Sequence, residues 1–247
     1  MAVGGAVSTQ EVAFPSGKEV QAEEGNQVHQ LPYPLPFQIN EAKGAFVLAP
    51  QDPQASECLA GIQVAYPEQD RKGWDDLAAD NSKLADLLRQ GYEDRDPMVR
   101  SAMDAMVARS QDMYIWPFHT MPRLESWASS RKRVVLLGDS AHAIPPTAGQ
   151  GANQAFEDTF SFAILMVKFD SQGPEWSEAL RTWQAYRQER VEKVLALTGE
   201  LNERRKPRWT GAPSSNMDAS WLYGVDVSEA MSRLLDSQVQ SQQTTSA

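Results

Sequence analysis

Between residues 133 and 158 the chain reads RVVLLGDSAHAIPPTAGQGANQAFED, a stretch whose residue types and spacing suit ligand chemistry. The continuous apolar run at 134–137 predicts a fully buried strand. This strand would end at Gly138 and Asp139. A carboxylate at a strand end can accept hydrogen bonds from the hydroxyl groups of a polyol, and Gly138 leaves room for a ligand close to the backbone.

A second feature follows in the same stretch, where Gly149 and Gly151 flank Gln150 and precede a predicted helix. The glycines permit unusual dihedral angles, and a helix N-terminus offers unpaired N–H groups and a positive dipole end. Such a site favours an anion or a developing negative charge. A flavin gains negative charge at N1 and the C2 carbonyl when it is reduced, so these donors suit a flavin. Short glycine motifs also occur in unrelated α/β loops, so the pattern alone is not specific.

Taken together, the motif residues resemble the second FAD-binding motif of class A (p-hydroxybenzoate-hydroxylase-type) flavoprotein monooxygenases. The resemblance covers roughly residues 37 to 206 and includes counterparts of IWPF, MPRLESW and YRQERVEKVLALT that several fungal members carry. Ser140 stands where the family often has alanine. The residues that carry the resemblance are Gly138–His142, Pro145, Pro146, Gly149–Asn153, Glu157 and Asp158.

The resemblance implies a cofactor, FAD, and a reductant, NAD(P)H. Asp139 would bind the ribityl or ribose hydroxyls of FAD, and Pro146 would line the isoalloxazine. The backbone amides at the start of the helix would reach the pyrimidine end of the ring. The implied cofactor-binding residues are Gly138, Asp139, Pro146, Gly149, Gln150, Gly151, Ala152 and Asn153.

One departure from the family concerns the dinucleotide-binding segment, a strand and helix joined by G-x-G-x-x-G. Nothing before residue 37 supplies it, since Gly4-Gly5 lacks the spacing and Gln154 replaces the third glycine after Gly149 and Gly151. We therefore expect the isolated chain to bind FAD weakly or not at all. We also expect a homo-oligomer, or a partner chain, to cover the exposed flavin-side surface.

Three side chains are candidates for acid–base chemistry. His142 has a residue type suited to a general base, but in the family this histidine mainly packs within the motif, and we favour that interpretation. His119 and Tyr114 lie near the expected substrate side. They would orient or protonate a ligand, or they are strand residues with satisfied side chains, which is the favoured interpretation.

The elements that would position these residues predict an α+β (α/β-like) fold, with a partly antiparallel sheet and C-terminal flavin-side helices. Strands are predicted within 37–67 and 114–118, and helices over 74–88, from Asp96 onward, over an enclosed 152–167, and from Trp176 to near Pro207. The segments are an irregular lead-in (1–36), a substrate-side sheet with helices (37–130), flavin-side helices (131–208) and a polar, partly disordered tail (209–247).

The amino-acid composition indicates which kind of ligand the protein binds. A net charge of −10 over 247 residues disfavours nucleic acid and anionic membranes, which leaves a small molecule as the expected ligand. The single cysteine, Cys58, has no internal disulfide partner, and no Cys/His cluster has the spacing of a zinc site. No signal peptide or long apolar run is evident, so we expect a cytoplasmic protein.

Three functions are compatible with these features. The first is an FAD-dependent monooxygenase, as a component or a truncated form, that hydroxylates an aromatic or polyketide-like small molecule in secondary metabolism. The second is a redox-free cyclase or isomerase that uses the same scaffold for acid–base work. The third is a non-catalytic partner subunit or a remnant.

Overall fold

The computed structural model describes residues 1–14, 20–24, 27–31, 37–41, 44–205 and 220–245. These residues form two compact units. The first comprises the described residues up to Pro117 with 203–205, and the second comprises 118–202 with 220–245. The boundary between the units therefore follows Pro117, whereas the sequence-based division placed it after residue 130.

The first unit contains a five-stranded antiparallel sheet with the order β4-β5-β6-β1-β7. A separate antiparallel pair is formed by β2 and β3. Together with the helices, this arrangement confirms the predicted α+β class. The strands are β1 (Ala2–Ser8), β2 (Val20–Glu24), β3 (Gln27–Leu31), β4 (Phe37–Glu41), β5 (Gly44–Pro50), β6 (Glu57–Gln63) and β7 (Tyr114–Trp116).

β1 corrects the expectation of an irregular lead-in over residues 1–36, which is wrong for Ala2–Ser8 and for the backbone of β2 and β3. β1 is an inner strand that pairs with β6 on one side and β7 on the other. Within the ladder with β6, Gly4 faces Gly61. A Cβ on Gly4 would lie 2.8 Å from the carbonyl oxygen of Ala60, so glycine permits this close approach.

Three helices accompany the sheet: α1 (Arg71–Ala79), α2 (Asn81–Leu88) and α3 (Pro97–Ala108). The single helix predicted over 74–88 is divided because the Asp80 side chain accepts a 3.0 Å hydrogen bond from Lys83 N and caps α2. Asp96 caps α3 as predicted, by accepting a bond from Met98 N. The apolar side chains of Val99, Met103 and Met106 on α3 are buried, and that of Val107 is partly buried.

The second unit is helical around a core that includes Trp127, Leu165 and Trp183. The predictions of a helix near 152–167 and of a long helix from Trp176 are confirmed. None of the helices in the described ranges is long and apolar enough to cross a membrane. The helices are α4 (Asp139–His142), α5 (Gly151–Lys168), α6 (Trp176–Arg205), α7 (Ser220–Tyr223) and α8 (Val227–Thr245).

The C-terminal helices correct the expectation of a disordered tail, which is wrong for 220–223 and 227–245. Met231 and Leu235 lie four residues apart on α8 and are both fully buried. Burial of two large apolar side chains on one helix face offsets the polar composition that suggested disorder. The remaining tail positions, 206–219 and 246–247, lie outside the described residues.

The apolar run at 134–137 is not the fully buried strand that the sequence predicted. Val135 forms an isolated bridge with Ala128, and Val134 is 62% exposed. The prediction failed because the run pairs on one side only. Likewise α5 is not enclosed, since Phe156 and Val167 are largely exposed.

The close contact of β1 and β6 gives a stability prediction. Gly4→Ala should lower the free energy of unfolding by about 1–3 kcal/mol, because the added methyl group meets a backbone oxygen that cannot move alone. The neighbouring substitution Gly5→Ala is the matched control, since its methyl group would lie 3.5 Å from Met106 Cγ, an ordinary contact. Urea denaturation checks both variants, and equal stabilities would contradict the prediction.

Candidate functional site

The first part of the site is the loop at Gly138. This residue has φ 58° and ψ −141°, a backbone conformation that side-chain-bearing residues rarely adopt. A Cβ here would lie 3.1 Å from Ala155 Cβ, so glycine also lets the loop lie against α5. Asp139 follows as the first residue of α4 and is exposed, not at the end of a strand.

The second part is the turn that leads into α5. Pro146–Ala148 form a short 3-10 helix, and Gly149 follows in the left-handed region with φ 63° and ψ 26°. α5 then begins at Gly151, and no side chain caps its N-terminus. A Cβ on Gly149 or on Gly151 would meet no atom within 4 Å. The space beside Gly149 and Gly151, at the first turn of α5, is therefore open.

These two parts can bind a ligand that combines hydroxyl groups with a negatively charged edge. The Asp139 carboxylate is available as a hydrogen-bond acceptor, and the α5 N-terminus supplies donors and a positive dipole end. Gln150 is buried, and its Oε1 accepts a 3.4 Å hydrogen bond from Asn153 Nδ2. This contact joins two side chains and does not involve the backbone amides of the first turn.

Beneath the loops lies a buried ionic network centred on Asp158, which is fully buried. Its Oδ2 accepts a 2.8 Å hydrogen bond from Gly138 N and lies 2.5 Å from His142 Nε2. Its Oδ1 accepts a 2.8 Å bond from Arg187 Nε on α6. One carboxylate thus holds the Gly138 loop, α4 and α6 in a fixed arrangement.

The network continues through Glu157, which accepts a 2.6 Å bond from Arg187 Nη1 and a 2.7 Å bond from Arg190 Nη2. Arg190 also donates to the carbonyl oxygens of Trp221 and Leu222, each at 2.8 Å. This guanidinium therefore joins α5 and α6 to α7. The hydrogen bond with Glu157 raises the pKa of Arg190.

The surroundings stabilise the charged forms of both carboxylates. Burial alone would raise the pKa of Asp158, but the hydrogen bond from His142 and the charge of Arg187 outweigh it and hold the pKa below its ordinary value. Burial would also raise the pKa of Glu157. The hydrogen bond from Arg190 and the charge of Arg187 outweigh this effect, so the pKa of Glu157 is lowered.

Sequence reasoning did not identify Arg187 and Arg190 as site residues. Their spacing of three residues places both guanidinium groups on one face of α6. The usable signal was the adjacent acidic pair Glu157-Asp158 in a largely apolar helix, because buried carboxylates require cationic partners.

The structure places His142 within the buried network, with its ring centroid 5.3 Å from that of Trp127. This location agrees with the packing interpretation of His142. His119 is exposed and lies outside any helix or strand, whereas Tyr114 lies on β7, where burial raises its pKa. These two residues belong to different compact units, and neither is hydrogen-bonded to Asp158.

Comparisons with known proteins agree with this geometry. Residues 96–198 match the family model described as an FAD binding domain. The chain is 33% identical over 111 residues to hispidin-3-hydroxylase of Neonothopanus nambi, covering 45% of this chain and 24% of that protein. It is 31% identical over 131 residues to salicylate hydroxylase of Pseudomonas putida, covering 49% of this chain and 29% of that enzyme.

A solved structure, CtdE in complex with FAD and its substrate 4, matches with a TM-score of 0.65 and 21% identity. The match covers 97% of this chain and 56% of that one, so the chain spans about half the length of this structural neighbour. The α+β fold is therefore the p-hydroxybenzoate-hydroxylase type found in FAD-dependent monooxygenases. The family-model match at 96–198 includes both loops and the four charged residues at 157, 158, 187 and 190.

The buried network gives the second prediction. Asp158→Ala should lower the free energy of unfolding by about 3–5 kcal/mol at pH 7, because it leaves Arg187 Nε and the Gly138 amide without an acceptor in the protein interior. Glu189→Ala is the matched control on α6, because its ion pair with Lys193 is exposed to solvent and should contribute little to stability. Chemical denaturation at pH 7 measures both changes.

Chemical denaturation of the same variants at several pH values separates the contribution of the Asp158 charge to stability from the contribution of side-chain packing. Because the folded-state pKa of Asp158 lies below its unfolded value, its contribution is fully present above the unfolded pKa and is lost as pH falls through the folded pKa. Wild-type stability should thus decline from about pH 5 downward, and Asp158→Ala should decline less steeply. Parallel profiles for the two proteins would contradict the assigned role.

Proposed function

We propose that this chain forms the isoalloxazine-binding part of an FAD-dependent monooxygenase. The observation that carries the proposal is the uncapped N-terminus of α5, with Gly149 and Gly151 opening onto free space. A planar ring can approach this backbone because neither position carries a side chain. Its pyrimidine edge would then accept hydrogen bonds from the amides of Gly151, Ala152 and Asn153.

The residues present fit FAD in two further respects. The exposed Asp139 carboxylate can accept hydrogen bonds from ribityl or ribose hydroxyls. The positive end of α5 favours the negative charge that a flavin gains at N1 and the C2 carbonyl on reduction, so the site stabilises the reduced form. Pro146 is partly exposed beside the same turn and is proposed to line the ring.

Bound FAD, reduced by NAD(P)H, would supply the activated oxygen for hydroxylation. The residues of this chain would bind and orient the cofactor, and the buried network holds the Gly138 loop in place. The names of the two curated relatives, hispidin-3-hydroxylase and salicylate hydroxylase, support an aromatic substrate. We propose an aromatic or polyketide-like small molecule of secondary metabolism as the substrate class.

The affinity of these 247 residues for FAD alone should be low. They contain no G-x-G-x-x-G segment, which in related folds binds the pyrophosphate at a helix N-terminus. The purified chain should therefore be colourless and bind added FAD with a dissociation constant in the high micromolar range or weaker. Titrations must consequently extend to millimolar FAD, and failure to observe saturable binding there would overturn the proposed site.

Gly151→Val tests the ring-binding turn directly. The β-branched side chain should fill the space that the isoalloxazine needs and weaken FAD binding by at least about tenfold. Gly199→Val is the matched control, since Gly199 is an exposed residue of α6 where an added Cβ would also meet no atom within 4 Å. Equilibrium dialysis with FAD gives the affinities, and equal losses in the two variants would contradict the assignment.

Asp139→Ala tests the hydroxyl-binding carboxylate. Loss of a charge-assisted hydrogen bond, worth about 1.5–3 kcal/mol, should weaken FAD binding roughly tenfold or more. Folding should be unaffected, because the side chain is exposed. Lumiflavin, which has the ring but no ribityl chain, should bind wild type and variant equally in the same assay. Unchanged FAD affinity in Asp139→Ala would remove this residue from the site.

A further inference from the structure

Thr147 connects the turn that precedes α5 to the long helix α6. Its Oγ1 donates a 2.5 Å hydrogen bond to Asn202 Oδ1, and the two residues are 55 positions apart in the chain. Thr147 is 7% exposed, whereas Gly149 at the end of the same turn is exposed. A buried hydroxyl group needs a hydrogen-bond partner, so this side chain holds the inner side of the turn against α6. We call residues 146–149 the Thr147 turn.

The Thr147 turn has few local contacts that fix its shape. It is a three-residue 3-10 helix followed by Gly149, whose N–H donates a 2.8 Å bond to Pro146 O. Such short 3-10 segments have poor hydrogen-bond geometry. The Asp158 carboxylate does not hold this turn, because its hydrogen bonds go to Gly138, His142 and Arg187. The conformation of the turn therefore depends on tertiary contacts such as the Thr147–Asn202 bond.

Asn202 lies on the same side of α6 as Arg187. The difference of fifteen positions corresponds, at about 100° and 1.5 Å per residue, to a net rotation of about 60° and a rise of about 22 Å. Between the two residues the helix is buried at Val191, Val194 and Thr198, and Asn202 continues this side and is partly buried. One side of α6 therefore holds the Gly138 loop at one point, through Arg187 and Asp158, and the Thr147 turn at another.

We propose that Asn202 is a positioning residue for the cofactor. Through Thr147 it fixes the turn that adjoins the isoalloxazine, and α6 thereby sets the separation between this turn and the Asp139 carboxylate. The inference rests on the proposed function, which assigns the ring to this turn and the hydroxyl groups to Asp139. Without the bond, the turn adopts its binding conformation for a smaller fraction of the time, and the apparent affinity falls in proportion to that fraction.

Substitutions at Thr147 test the proposal through the affinities for two ligands. Thr147→Val replaces the hydroxyl with a methyl group and should weaken the binding of FAD and of lumiflavin alike, by about three- to tenfold. Both ligands are affected because the bond positions the part of the site that contacts the ring. Asp139→Ala, by contrast, should weaken the binding of FAD only. Thr147→Ser keeps the hydroxyl and should bind both ligands as the wild type does.

Asn202→Leu removes the acceptor of the same bond and should reproduce the effect of Thr147→Val. The double variant should bind both ligands no more weakly than either single variant, because the two substitutions remove one shared interaction. Equilibrium dialysis measures the affinities, and urea denaturation confirms that each variant is folded under the conditions of the binding assay.

Thr198→Val is the matched control for a lost hydroxyl group on the buried side of α6. The bond that it removes, from Thr198 Oγ1 to Val194 O at 2.8 Å, lies within the helix, so both affinities should be unchanged. A wild type that binds neither ligand saturably would overturn the proposed function and this inference with it. If the wild type binds, then unchanged affinities in Thr147→Val, an equal loss in Thr147→Ser, or additive losses in the double variant would overturn the positioning role alone.

Discussion

The structure of the second unit depends on the ion pair between Asp158 and Arg187, both of which are fully buried. Transferring two charges from water to the interior is costly, and the cost is offset only where every remaining donor and acceptor is satisfied. Gly138 N, His142 Nε2 and Gln154 Oε1 supply these additional contacts. The conformation of the Gly138 loop is therefore a requirement of the network.

This arrangement divides the polar groups of the motif into two sets. The side chains of Glu157, Asp158 and Arg187 form ion pairs with one another inside the protein, and these pairs hold the helices together. The backbone amides of Gly151 to Asn153, and the carboxylate of Asp139, remain at the surface. A preorganised ligand site needs a rigid buried framework and unpaired polar groups at the surface. Such a site loses little conformational entropy when the ligand binds.

Local patterns predicted much of the fold. Short β-like runs separated by turn-forming residues predicted strands where β5 and β6 lie, and Asp96 followed by Pro97 identified the start of α3. The elements that the sequence did not predict depend on contacts between residues that are distant in the chain. β1 was assigned to an irregular lead-in, since β6, with which it pairs, lies far away in the chain. α8 was missed because two buried side chains, Met231 and Leu235, outweigh a polar composition.

The same distinction applies to the candidate site. Gly138 and Gly149 could be recognised from sequence because their positive φ angles favour glycine. Arg187 and Arg190 could not, because their role depends on which helices pack together. The burial of residues 134–137 was also overestimated, since an apolar run does not show how many of its sides will be paired.

The span of the ionic network has a consequence for folding order. Its bonds join positions separated by 20 residues (Gly138 to Asp158), 29 residues (Asp158 to Arg187) and 32 residues (Arg190 to Leu222). Such closures cost chain entropy before they are stabilised by burial, so they form after the helices they connect. The glycine loops carry little local preference for their native shape. We therefore expect them to become ordered after α5, α6 and α7 have assembled, which would make the most recognisable motif of the sequence one of the last parts of the unit to acquire its structure.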